Sequence, residues 1–346
     1  MNATPHTDSE DLRLAAQAAG GSLHKTIGKK PVIEIPAKTI INFKSGFGKK
    51  LLCDGATFST GTACVYSCAF CYVPDAMRKL VKPTLDKLGM RHDEVVIRRA
   101  GAVERLKVQL SGLSAARRFN GSTIYASPLV DVAATMELAR ETAEACRVIL
   151  RETDWNIRLL SKSTFLPVIA DELRNEKGFP KKRIIFGVST GTRNDKLAKS
   201  FELGCPAPSK RMESIRWLQS ERWRTFGMIC PMLPMGRGEM EEMVFEILQG
   251  LGGVNCLEHV WAEPLNARGD SMERTVAGLE AGGFMDYARR LRKCAEDARA
   301  WEDNARLSFC VTAAYVPPTK LRFLQYVTNE NRAWWTAHEQ LGAVLL

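Results

Sequence analysis

The sequence predicts an α/β fold: a partial (β/α)6 TIM-type barrel with N- and C-terminal extensions. Three observations carry that expectation. From about residue 53, short β-like runs alternate with longer segments whose apolar residues recur at helical spacing, the pattern of a parallel sheet with right-handed crossovers. Six such repeats are too few to close an eight-stranded barrel. The length, 346 residues, suits one large barrel with extensions or two ordinary domains.

Taken in order, residues 1–21 are polar, carry Asp8, Glu10 and Asp11, and read as a disordered tail. Residues 22–52 form a basic extension, with the pairs Lys29-Lys30 and Lys49-Lys50 around the alternating stretch Val32-Ile33-Glu34-Ile35. Residues 53–284 make the barrel. Its expected strands are Ala56–Thr62, Thr123–Ala126, Asn156–Ser161, Arg183–Ser189, Arg224–Ile229 and Leu257–Ala262. Helical spacing marks Val132–Arg151, Ser209–Ser220 and Glu239–Leu251. Pro208-Ser209 starts one helix, and Glu241 and Glu242 occupy a first turn, where the helix dipole favours negative charge. Residues 285–346 read as a C-terminal helical extension ending in an aromatic segment with Trp334 and Trp335.

Composition is that of a globular chain: 45% hydrophobic and 25% charged. No apolar run reaches the roughly 18 residues of a membrane span, and the N-terminus has neither a secretory nor a transit pattern. A cytoplasmic protein with no membrane partner is expected. The net charge of +10 suits a polyanionic partner, because phosphate contacts gain from counterion release. Ordinary solubility explains the same surplus.

Ten cysteines in such a compartment are not a disulfide framework. Seven are scattered; Cys64, Cys68 and Cys71 form a C-x3-C-x2-C cluster directly after the first expected strand. Three thiolates on one tight loop can each bind one iron of a [4Fe–4S] cubane and leave the fourth iron open. S-adenosylmethionine (SAM) can chelate that iron, and electron transfer then yields a 5′-deoxyadenosyl radical. Structural zinc is an alternative, but it normally takes four ligands in paired spacing. An electron-transfer ferredoxin is another, with four cysteines per cluster. Chance clustering of buried cysteines is the third.

The motif, with Phe70 just before the third cysteine, resembles the radical SAM superfamily signature. Residues 192–202 and 206–211, Leu160-Ser161-Lys162-Ser163 and Pro231-Met-Leu-Pro234 resemble the spore photoproduct lyase and DNA repair photolyase-like group. The likeness covers roughly residues 53–265. It implies that Lys162 pairs with the SAM carboxylate, that Ser189 bonds the ribose, and that Phe70 and Tyr72 wall the adenine and cluster. A solvated lysine, a turn serine and core aromatics are the bland readings of the same residues. Glu202 and Arg211 read as a structural pair, with lining the cavity as the alternative. Glu263, at a strand end, is a candidate contact to SAM or substrate.

Two departures bear on the reaction. Spore photoproduct lyases place a hydrogen-donating cysteine after the second strand, where this chain reads Ile124-Tyr-Ala-Ser-Pro-Leu129. Cys230 and Cys205 are the substitute catalytic candidates, with a buried thiol acting as a small hydrophobe as the alternative. The Gly-Gly-Glu that holds the SAM amine in many radical SAM proteins is also missing, and Ser127, Asp131 or a backbone carbonyl is the expected substitute. The resemblance further implies DNA or RNA as substrate and an external electron donor such as flavodoxin or ferredoxin. A radical enzyme acting on a peptide or small metabolite is the first alternative. A non-enzymatic nucleic-acid-binding protein with a structural metal is the second. Trp334-Trp335 beside Arg332 suits base stacking or a packed helix equally.

Overall fold

The computed structural model describes residues 9–76, 78–126, 128–174, 178–265 and 270–346. Its strands are β1 (Ser22–Ile27), β2 (Lys30–Pro36), β3 (Ile41–Asn42), β4 (Ala56–Phe58), β5 (Gly61–Ala63), β6 (Val96–Ala100) and β7 (Thr123–Ala126). They continue with β8 (Asn156–Ser161), β9 (Ile184–Thr190), β10 (Arg224–Met232), β11 (Val260–Pro264), β12 (Leu321–Gln325) and β13 (Ala343–Leu345). Two sheets result. The larger has the order β13-β12-β11-β10-β9-β8-β7-β4-β3, and the smaller β1-β2-β6-β5.

In the large sheet every pairing from β4 to β13 is parallel, and β3 adds antiparallel at one edge. Strand order follows chain order, so each strand is laid beside the last by a crossover. The fold is a mixed α/β arrangement; among the described residues the large sheet has edges at β3 and β13 and does not close into a barrel.

Alternation along the strands sorts the side chains onto two faces. Ile157, Leu159, Ile184, Phe186, Val188 and Ile229 pack with the helices in the main core. Tyr125, Ile185, Phe226, Met228, Trp261 and Leu324 form a second cluster on the opposite face. Both faces of the central strands are thereby buried, and β9 is buried at every position. Gly187 makes this packing possible: a Cβ there would lie 2.2 Å from the Phe226 ring.

The predicted elements recur with shifted ends. The helix expected over Val132–Arg151 runs Met136–Glu152, because Thr135 caps it by accepting from the Leu138 N–H at 3.1 Å. The first expected strand is divided between sheets: β4 joins the large sheet and β5 the small one. Gly61 allows the crossing, since a Cβ there would meet the Ile97 carbonyl at 2.7 Å.

Both extensions contain more structure than expected. Residues Ser9–Ala18 form a helix rather than a disordered tail. Leu12, Ala15 and Ala16 fall on one helical stripe, and Ala16 is fully buried in a small core with Ile33, Val81, Leu85 and Ile97. The C-terminal region begins with the helices Met285–Glu296 and Ala298–Tyr315, then contributes β12 and β13 to the large sheet. Trp335 is fully buried, stacked on Phe323 at 5.7 Å, with its Nε1 donating to Glu302 Oε1 at 3.0 Å. Trp334 stacks on His338 at 3.8 Å. The tryptophan pair is therefore engaged in packing and not presented for base stacking.

Candidate active site

A cavity of about 640 Å³ opens at the carboxyl ends of the parallel strands, where α/β folds bind their ligands. Strand register sets its walls. Ser161 of β8 pairs with Val188 of β9, and Ser189 pairs with Met228 of β10. Lys162, Ser189 and the Cys230 carbonyl thus meet at adjacent strand ends. The cysteine loop forms a second wall, and residues 42–50 form a third.

Cys64, Cys68 and Cys71 are half-buried free thiols, and all three line the cavity. Burial pushes the Cys71 thiol up to about 12 and the Cys64 thiol up as well. The loop is fastened at several points. The Cys71 N–H donates to the Cys68 carbonyl at 3.0 Å, and the Ala69 N–H donates to the Phe201 carbonyl at 2.8 Å. Ser67 has φ of 51°, and its Oγ donates to the Asp93 carbonyl at 3.1 Å. Lys30, at the start of β2, donates to the Val65 carbonyl at 2.9 Å and to Ser67 Oγ.

Lys162 lies on the cavity wall but is not a free cation. Its Nζ donates to Ser189 Oγ at 2.9 Å and to the Cys230 carbonyl at 3.1 Å. It also stands 2.8 Å from Glu202 Oε1, an ion pair without a well-aligned hydrogen bond. The other Glu202 oxygen accepts from Arg211 Nη2. Arg211 is fully buried; its Nε donates to the Pro206 carbonyl at 2.7 Å and its Nη1 to the Ser189 carbonyl at 3.1 Å. Burial by itself would raise the Glu202 carboxyl and lower Lys162. The opposite charges win, holding Glu202 below and Lys162 above their ordinary values.

Phe70 lies 5.3 Å beneath the Lys162 ammonium and packs on Phe201 at 5.8 Å. Tyr72 donates its hydroxyl to the Pro128 carbonyl. Both rings line the cavity, as do Ser189, Glu263 and Asp131. Asp131 is engaged by the Ser161 hydroxyl and the Lys162 N–H, each at 2.6 Å, and by the Ala133 N–H at 2.9 Å. Burial nonetheless raises its carboxyl above the ordinary range. Ser127 lies outside the described residues.

Glu263, at the end of β11, accepts from Lys50 Nζ at 2.8 Å. Lys50 has no role in the sequence reading beyond belonging to a basic extension. The fold brings it in because Trp261 Nε1 donates to the Lys50 carbonyl at 2.8 Å and Arg158 donates to the Leu51 and Leu52 carbonyls. His92 and Arg274 also line the cavity, and no local pattern marks either one. Cys230 packs with Met228 on the cavity side of β10 but is not among the lining residues. Cys205 does not line the cavity either; its Sγ lies 3.4 Å from Cys68 Sγ.

Among the described residues, no three His, Cys, Asp or Glu side chains converge as on a single metal ion. The loop thiols instead border a space of the size that holds small organic ligands. A donor set of three thiols, spread along a cavity that also presents a lysine, a serine and carboxylates, fits a cluster with an organic ligand beside it.

No protein-family model matches the chain. Among curated proteins, the uncharacterized protein ORF301 of Acidianus two-tailed virus is 23% identical over 249 residues, covering 70% of this chain and 78% of that protein. Among solved structures, a cysteine-to-serine mutant of spore photoproduct lyase superposes with a TM-score of 0.52 at 13% identity, covering 85% of this chain and 84% of that one. A double mutant with bound AdoMet and dinucleoside spore photoproduct gives the same values. Spore photoproduct lyase complexed with dinucleoside spore photoproduct matches at 14% identity and a TM-score of 0.52, over 84% of this chain and 85% of that one. The likeness first read from the cysteine loop and the strand ends extends to the architecture: this chain has the fold of spore photoproduct lyase.

Proposed function

We propose that this protein is a radical SAM enzyme of the spore photoproduct lyase-like group, acting on a nucleic acid or nucleotide within a partial (β/α)6 barrel. One observation carries the reading: the C-x3-C-x2-C loop opens onto the same cavity as Lys162, Ser189 and Glu263, at the carboxyl ends of the parallel strands. Cys64, Cys68 and Cys71 would hold a [4Fe–4S] cluster, and SAM would lie beside it. When bound, this pair supplies a 5′-deoxyadenosyl radical able to abstract hydrogen from a substrate.

The chain's own groups orient and shield. Lys162 offers a cation at the SAM carboxylate while Glu202 remains its counter-ion. Ser189 offers a hydroxyl to the ribose, and Phe70 and Tyr72 supply apolar walls against water. Lys50 and Glu263 face the space left for substrate. Lys44 and Lys49 are exposed at the cavity margin and, with the +10 net charge, favour a phosphate-bearing substrate. Cys230 is the better placed hydrogen donor of the two candidates, because Cys205 is turned toward Cys68. A flavodoxin or ferredoxin would serve as the reductant.

The test is anaerobic purification, cluster reconstitution, and reduction by dithionite with SAM, with and without DNA or RNA. The expected result is a brown protein that releases 5′-deoxyadenosine, faster with the correct nucleic acid. Cys68→Ala should remain cooperatively folded yet lose the cluster and all SAM cleavage. A colourless, zinc-loaded protein that leaves SAM intact would overturn the assignment.

A further inference from the structure

Cys205 is the thiol nearest the cysteine loop that the proposed function leaves without an assigned part. Its position is set by more than side-chain packing. The two chain segments, 137 residues apart, are laced by backbone bonds: the Gly204 N–H donates to the Tyr66 carbonyl and the Ala69 N–H to the Phe201 carbonyl, both at 2.8 Å. The Cys205 N–H donates to the Glu202 carbonyl at 2.9 Å. A glycine is required between them, because a Cβ at Gly204 would fall 2.6 Å from the Tyr66 carbonyl. This lacing brings the two sulfurs to 3.4 Å. Both thiols are half-buried, and Cys68 lines the cavity while Cys205 does not, so an oxidant that enters through the cavity meets Cys68 with Cys205 beside it.

We infer that Cys68 and Cys205 form a reversible disulfide when the cluster site is empty, with Cys205 as the resolving thiol. The inference rests on the reading of Cys68 as a cluster ligand. With hydrogen peroxide as oxidant, the Cys68 sulfur takes one oxygen to give a sulfenic acid and releases one water. The Cys205 thiol then displaces the second water, forming the S–S bond. In sum two thiols and one peroxide give one disulfide and two waters. The bond withdraws one of three ligands from cluster assembly and shields it from irreversible oxidation to the sulfinic acid. A dithiol reductant restores it.

The experiment uses the full chain, stripped of iron by a chelator and treated with two molar equivalents of hydrogen peroxide, one more than the disulfide needs and enough to reach the sulfinic acid. Free thiols are alkylated, and the peptides are mapped by mass spectrometry. The expected product is a Cys68–Cys205 linked peptide, with iron and sulfide uptake falling about tenfold and returning after dithiothreitol. In Cys205→Ser and Cys205→Ala, peroxide should carry Cys68 to the sulfinic acid, and dithiothreitol should not restore uptake. Linkage of Cys68 to Cys64 or Cys71, or full recovery in both Cys205 variants, would overturn the inference. Formation of the predicted disulfide in a protein that never takes up iron supports the thiol pairing while sinking the cluster assignment. Iron uptake without the disulfide sinks only the pairing.

Discussion

Two ion-paired groups border the cavity, one through Lys162 and the other through Lys50 and Glu263, and these two walls are built differently. On one, Glu202 lies between Lys162 and Arg211, with the Glu202 and Arg211 side chains each 1% exposed. On the other, Lys50 and Glu263 form a single pair, 18% and 10% exposed, with Lys50 carried by a segment from outside the strand order. The first network ties together the ends of β8 and β9, the Pro206 carbonyl and, through residues 201–205, the cysteine loop. The second joins one strand end to one loop. Charges that fasten several elements belong to the architecture of the site. A pair that fastens only two and lines the cavity is free to exchange partners with a ligand.

The contrast can be broken most forcefully at Glu202. Glu202→Gln leaves Arg211 and Lys162 buried without a counter-charge, and removing one partner of such a pair costs about 3–5 kcal/mol. Denaturant unfolding measures it, and a loss below about 1 kcal/mol would contradict the architectural role. The wild type should also show a Glu202-dependent acid limb. A carboxyl held below its ordinary 4.5 contributes stability that is fully present above that pH. The contribution is lost as pH falls through the lower folded value. Glu202→Gln should abolish that limb while leaving the rest of the pH profile in place.

The next effect is smaller and sits where the first wall meets the loop. Gly204→Ala forces a methyl group to within 2.6 Å of the Tyr66 carbonyl, a backbone atom that moves only with the cysteine loop. A destabilisation of about 1–3 kcal/mol is expected, as for overpacked sites. Because the loop must shift, iron bound after reconstitution should drop as well. A Gly204→Ala protein with unchanged iron content would mean that the two segments are not mechanically joined.

The first wall was partly legible in the sequence and the second was not, for a physical reason. Cys64, Cys68 and Cys71 are marked by their own spacing, and Lys162 and Ser189 lie at the ends of expected strands, so their common destination follows from topology. Glu202 and Arg211 read as a structural pair only through the family resemblance, and the fold buries them together. Lys50 meets Glu263 across 213 residues of chain, through a segment with no periodicity of its own. No local rule signals that pairing. The same limit hid β12 and β13: after Tyr315 the sequence carries short runs with aromatics, and only the open edge of the sheet decides that they are strands. The Ser9–Ala18 helix is a different case. Its stripe of Leu12, Ala15 and Ala16 is present in the sequence but is outweighed by the polar composition around it.

The finest test of the contrast lies at Glu263. Glu263→Gln keeps the shape and removes the charge, so Lys50 loses the carboxylate that holds it above its ordinary value against the opposing pull of burial. The pair is partly exposed and joins only two elements, so a stability change of about 1–2 kcal/mol is expected, in the range of one hydrogen bond between charged groups. Iron content should not change, since Lys50 and Glu263 bond to each other and neither is hydrogen-bonded to a residue of the cysteine loop. SAM cleavage or its stimulation by substrate should fall about tenfold, the equivalent of roughly 1.4 kcal/mol of lost ligand contact. If iron content falls with the activity, the two walls are one network and the division between fastening and binding charges is wrong. If neither moves, Lys50 and Glu263 hold the 42–50 segment against the sheet and do not touch the ligand.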